Sequence, residues 1–79
     1  MDKITVKGLV YDYVERLPVG QKFFPRDIVS HIHHITYGAR SPMDATVTRV
    51  LRMRRAEEGD VAVANRARSV YIKVAKRTG

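Results

Sequence analysis

Residues 41–61 read SPMDATVTRVLRMRRAEEGDV. Ser41-Pro42-Met43-Asp44 supplies an N-cap serine, a proline at the first helical position and an acid three residues after the cap. Val47, Val50 and Leu51 follow at helical spacing, with Met43 extending their stripe at the front, and Gly59 supplies the stop. The spacing predicts a helix over about residues 42–57. With Val47 at the origin of a wheel turning about 100° per residue, Val50 and Leu51 fall beside it. Ala45, Arg49, Arg52 and Ala56 fall opposite, flanked by Thr48 and Met53. One face is therefore apolar, and the other is small at its start and cationic beyond.

Past Gly59 the apolar period drops from 3.6 to 2. Val61 and Val63 alternate with Ala62 and Ala64, and Val70, Ile72 and Val74 alternate with Tyr71 and Lys73. Between them Asn65-Arg66-Ala67-Arg68-Ser69 is polar and basic. This pattern predicts a β-hairpin with strands over about residues 60–64 and 69–75 and a basic tip. The tail Lys76-Arg77-Thr78-Gly79 is expected to fray.

Upstream, Thr36-Tyr37-Gly38-Ala39-Arg40 reads as a turn. Pro25 opens a helix over about residues 25–34, with Asp27 in its first turn and Ile28, Ile32 and Ile35 at helical spacing beside Val29. Lys22-Phe23-Phe24 is too short for a helix and makes sense as an edge strand added to another sheet. A first helix is expected over about residues 3–17. Its stripe is Val6, Val10, Val14 and Leu17, widened by Leu9 and Tyr13, and Pro18-Val19-Gly20 ends it. Gly8 costs this helix about 1 kcal/mol relative to alanine.

The chain has 79 residues, which allows one domain at most. Apolar residues make up 44% and charged residues 29%, a globular balance. With no cysteine, neither a disulfide nor a thiolate-metal site can staple the fold. No apolar run approaches the roughly 20 residues of a membrane span, and Met1-Asp2-Lys3-Ile4 does not open a signal peptide. A membrane-spanning protein, a large enzyme with a deep cleft and a disulfide scaffold are all excluded. The net charge is +7 and lopsided: residues 1–39 carry +1 and residues 40–79 carry +6. A neutral half joined to a basic half suits a scaffold presenting a face to a polyanion, of which a phosphate backbone is the commonest.

The order is helix, short strand, helix, turn, helix, hairpin. Two short helices joined by a Gly-containing turn are a helix-turn-helix arrangement, and a hairpin directly after the second makes a wing. The chain resembles the winged helix-turn-helix family of DNA-binding domains over about residues 3–75, most closely small bacterial, archaeal and phage regulators. The resemblance rests on this order and on Ala45 through Arg52, Glu57 through Val61 and Ser69 through Ile72. It implies an α+β, mostly α, winged helix-turn-helix fold and a regulator of transcription that binds double-stranded DNA. The third helix would enter the major groove, its N-terminal half meeting the bases. Ala45, Thr48, Arg49 and Arg52 are the candidates for base contacts, with Arg52 able to reach a phosphate instead. Lys22, Arg26, Arg40, Ser41, Arg66 and Arg68 are the candidates for phosphate or minor-groove contacts.

Other readings stand beside this one. The arginine face can be a solvated surface, with Glu57 or Glu58 pairing Arg54 or Arg55. Charge at the hairpin tip can prevent edge association. RNA binding and protein interaction are the alternative functions, though few aromatics offer stacking platforms and interface cores are depleted of charge. His31 and His34 share a face at chelating spacing, yet His33 points away and no carboxylate completes a set, so no metal or other cofactor is expected. Ile4 and Tyr11, seven apart at the edge of the first helix's apolar arc, could form a homodimer contact or lie against the C-terminal strand. No phosphate loop, paired catalytic carboxylates or nucleophile–base arrangement is present, so enzymatic activity is not expected. The expected location is cytoplasmic, associated with the nucleoid.

Overall fold

A computed structural model describes residues 5–76. The elements in chain order are α1 (Val6–Glu15), β1 (Lys22–Phe23), α2 (Pro25–Ile35), α3 (Asp44–Glu58), β2 (Val61–Asn65) and β3 (Val70–Lys73). The strands form one antiparallel sheet in the order β1-β3-β2. Three helices, a short strand after the first and a C-terminal hairpin make a winged-helix-like α+β architecture.

Local chemistry sets each boundary. The Thr5 hydroxyl accepts from the Gly8 N–H at 3.0 Å and starts α1 at Val6. The expected start at Lys3 lies outside the described residues. Pro25 opens α2, and the Asp27 carboxylate reaches back to the Phe24 N–H at 3.0 Å. Gly59 ends α3 in the left-handed region (φ 69°), where a side chain is unfavourable. β1 is indeed an edge strand: Lys22 pairs with Ile72 and Phe23 with Tyr71.

The core is Val10 and Val14 of α1, Phe23, Ile28 and Ile32 of α2, Val47, Val50 and Leu51 of α3, Val61 and Tyr71. It draws on all three helices and the sheet, as the apolar stripes require.

Three details depart from expectation. The residue before α3 is Met43, not Ser41, and Ser41-Pro42 lies in the preceding loop. Ser41 lies two residues ahead of the helix's own N-cap, and its hydroxyl hydrogen-bonds His33 Nδ1 at 2.7 Å. Met43 is 75% exposed and Ile35 42%, so neither extends the core: Met43 precedes the helix and Ile35 is the last residue of α2. In β3 the alternation holds but Tyr71 and Lys73 face inward, while Val70, Ile72 and Val74 are only half-buried. Lys73 goes inward because its ammonium finds acceptors there, Val14 O at 2.7 Å and Leu17 O at 3.2 Å. It thereby caps the C-terminal end of α1, adding a donor to Val14 O, which also accepts from the Leu17 N–H at 3.1 Å, and to Leu17 O.

Candidate nucleic-acid interface

The hairpin lies alongside the cationic face of α3 and closes a trench against it. One part of the trench, about 390 Å³, is lined by Thr48, Arg52 and Arg55 of α3 and by Arg66, Ser69 and Tyr71 of the hairpin, with Leu51, Val61 and Val63 also on its walls. A second part, about 250 Å³, is lined by Phe24, Pro25 and Arg26 at the start of α2, Asp44 and Thr48 of α3, and Arg68 and Ser69. Thr48 and Ser69 line both parts, so the two adjoin at these residues.

Local structure holds the tip over the helix. A register shift between Val63 and Asn65 marks a bulge, which increases the local twist. Asn65 Oδ1 accepts from the Arg68 N–H at 3.1 Å, and Ser69 closes the turn at φ 54°. Arg26 is held in place too: its guanidinium stacks over the Phe24 ring at 4.7 Å.

The structure thus brings Thr48, Arg52, Arg26, Arg66 and Arg68 together around one trench. Arg49 and Ala45 are exposed on the same helix, roughly 60° and 20° further round from Arg52 by the helical repeat. Lys22 is exposed on the edge strand. Arg40 is exposed in the α2–α3 loop, where its N–H donates to Thr36 Oγ1 at 3.2 Å. Neither Lys22 nor Arg40 lines the trench. Ser41 is exposed in the same loop as Arg40, tied to His33. Arg55 lines the trench, although the sequence reading gave it only a surface ion pair. Its place on the α3 wheel, about 60° from Arg52, was the signal that could have found it.

No family model, curated protein or solved structure gives a significant match to this chain. The case for the site therefore rests on its own geometry.

The charges divide into two groups. Lys7, Arg16, Arg54, Lys73 and Lys76 are in ion pairs with Glu57, Asp12, Glu15, Asp60 and Glu58. Among the described residues, Lys22, Arg26, Arg40, Arg49, Arg52, Arg55, Arg66 and Arg68 make no ion pair. Among the described residues the only carboxylate lining the trench is that of Asp44. An arginine unpaired by protein keeps all its donors for a phosphate or a base edge.

The paired group centres on Arg54, which is 5% exposed, and Asp60, which is fully buried. Arg54 Nε and Nη2 donate to the two Asp60 oxygens at 2.9 and 2.6 Å, and Nη2 also reaches Glu15 at 2.6 Å. The Lys73 ammonium lies 3.7 Å from Asp60. Hydrogen bonding from Arg54 holds the Asp60 carboxyl below its ordinary range, against the opposing effect of burial. Bonds from Arg54 and Lys76 hold Glu15 low as well. The bond to Asp60 raises Arg54. This cluster ties α3 to the base of the hairpin and to the end of α1. The alternative reading paired Glu57 or Glu58 with Arg54 or Arg55, but Glu57 pairs with Lys7 and Glu58 with Lys76. The missed signal was its spacing: Arg54 stands four after Val50 and seven after Val47, on the buried stripe.

The Tyr11 hydroxyl donates to Glu57 at 2.9 Å, and its ring lies under Lys7 and Arg54. Tyr11 is thus half-buried with Glu57 and Arg54 of α3 beside it; Ile4 lies outside the described residues. Burial and the Glu57 bond push its phenol up to about 12. His31 packs on the Tyr13 ring at 5.1 Å. No group of three or more potential metal ligands is found among the described residues. No helix among them is long and apolar enough to cross a membrane.

Proposed function

We propose that this chain binds double-stranded DNA and regulates transcription by occupying its site, with no catalytic step of its own. Helix α3 enters the major groove, presenting Ala45, Thr48, Arg49 and Arg52 to base edges. Arginine can donate two hydrogen bonds to guanine O6 and N7, a contact worth about 1–3 kcal/mol of discrimination. Arg26, Arg66 and Arg68 contact the flanking backbone or minor groove, with Lys22, Arg40 and Ser41 further out along the same strands.

One observation carries this reading: the cations that the fold leaves without carboxylate partners include every arginine of α3's outer face and of the hairpin tip. A merely solvating surface would be expected to intersperse both signs. Here five acids (Asp12, Glu15, Glu57, Glu58 and Asp60) are used in ion pairs away from that face, and Asp44 is the one acid among the trench's lining residues.

The test is selection of bound duplexes from a random pool with RNA as competitor. The expected result is an enriched sequence motif and retention of duplex in the presence of RNA. Enrichment of no sequence, or displacement of the duplex by RNA, overturns the proposal. Symmetry in the motif would report a two-fold pair of chains, with half-sites about one helical turn apart.

A further inference from the structure

We infer that Ala45 and Thr48 select thymine, by contact with its 5-methyl group, at neighbouring base pairs of the bound duplex. This inference rests on the duplex-binding reading and names the base feature that two of its contact residues recognise.

The Thr48 hydroxyl is already committed within the helix. Its Oγ1 donates to the Asp44 carbonyl, one turn back, at 2.9 Å. A threonine has a single hydroxyl proton and a methyl group on a stiff, branched Cβ. With that proton spent on the helix backbone, Thr48 has none to donate to guanine N7 or O6 or to thymine O4. With the oxygen turned back toward the backbone, the methyl is the branch left for a partner. The residue lines both parts of the trench and is only half-buried, so a partner can reach it.

Ala45 is exposed and has nothing but a methyl group to offer. It stands three residues before Thr48, about 60° round the helix and about 4.5 Å along it. Successive base pairs are about 3.4 Å apart, so two side chains on this scale can meet neighbouring pairs. The thymine 5-methyl is the apolar group on a base edge in the major groove, and alanine and the threonine methyl are its natural partners. Arg49 and Arg52, one turn further along than Ala45 and Thr48, bring donors with no ion-pair partner and suit guanine. The outer face of α3 thus divides by chemistry, methyl groups first and donors beyond, and the matching site has thymine beside guanine.

The experiment uses the full chain and the duplex enriched by selection, with each thymine replaced in turn by uracil, which removes the methyl group alone. The expected result is a loss of about fourfold at one or two adjacent thymines. Where a C·G pair is placed at such a position, methylating the cytosine at C5 should recover about fourfold, because the methyl group returns to the same edge. Thr48→Ser keeps the hydroxyl and removes the methyl, and should abolish the uracil effect at one position. Thr48→Val does the reverse and should retain it. Ala45→Gly should abolish the effect at the neighbouring position. Thermal stability is measured for each variant as a control. A selected motif without thymine, or uracil tolerated throughout, would overturn the inference and leave duplex binding intact. So would a uracil effect that Thr48→Ser preserves or that Thr48→Val removes. Failure to select any duplex would overturn both.

Discussion

Arg54 and Arg55 are neighbours in sequence with opposite roles. Arg54 is buried between two carboxylates, and Arg55 stands exposed in the trench with none. About 100° of helical turn separates them. One points into a cluster that joins α1, α3 and the hairpin, and the other into the face left for a partner. The lesson is that cation count says little about a basic protein. What matters is which cations the fold has already neutralised. In this chain most of the acids are paired within the scaffold, and Arg26, Arg52, Arg55, Arg66 and Arg68, which have no ion-pair partner, line the trench.

The contrast yields a graded series of perturbations. Arg54→Ala should have the largest effect, a destabilisation of about 3–5 kcal/mol, because it leaves Asp60 charged and buried without its main partner. A chain of this length has roughly 4–12 kcal/mol in total, so thermal unfolding should fall steeply or folding be lost. Next comes acid. Asp60 and Glu15 have lowered folded-state values, so their stabilisation is full above their unfolded values, near pH 4, and is lost as pH falls through the folded ones. Chemical denaturation below about pH 4 should show that loss, and Asp60→Asn should flatten it while also reducing stability at neutral pH.

On the other side of the contrast, Arg49→Ala should leave the melting temperature within error and relax sequence preference by about 1–3 kcal/mol at one base position. A selection repeated with this variant that returns the original motif unchanged removes Arg49 from its role. Asp44→Asn should raise affinity for duplexes of any sequence by a few-fold, since it removes the trench's one carboxylate. The smallest effect belongs to Tyr11→Phe, which removes a single exposed hydrogen bond to Glu57 and should cost under about 1 kcal/mol. The phenol's raised value means that this bond contributes below pH 10 and is lost as pH climbs toward about 12.

The architecture was legible because periodicity reports burial directly. Val47, Val50 and Leu51 are buried as their spacing indicates, and the change to period 2 after Gly59 marks the hairpin. The helix start was misplaced because Ser41-Pro42 has cap chemistry, yet the helix opens at Asp44 after Met43 and Ser41-Pro42 stays in the loop. The site was legible in composition but not in arrangement. Arg52, Arg66 and Arg68 were singled out as exposed cations, yet their convergence on one trench is a tertiary fact that no local pattern carries. The ionic cluster was hidden for another reason. Arg54, Asp60 and Lys73 each read as surface residues by type, and only mutual satisfaction makes their burial affordable. A charged residue on an apolar stripe, as Arg54 is, signals such a partner.

The claim that these unpartnered arginines form the binding face is tested most directly by the salt dependence of duplex affinity. If about six phosphates are contacted, the logarithm of the association constant should fall against the logarithm of salt concentration with a slope near −5 to −6. Removing Arg55 and Arg66 together should make it shallower by about 2. A flat response in the unmodified chain, or a slope that the double variant leaves unchanged, would contradict the account.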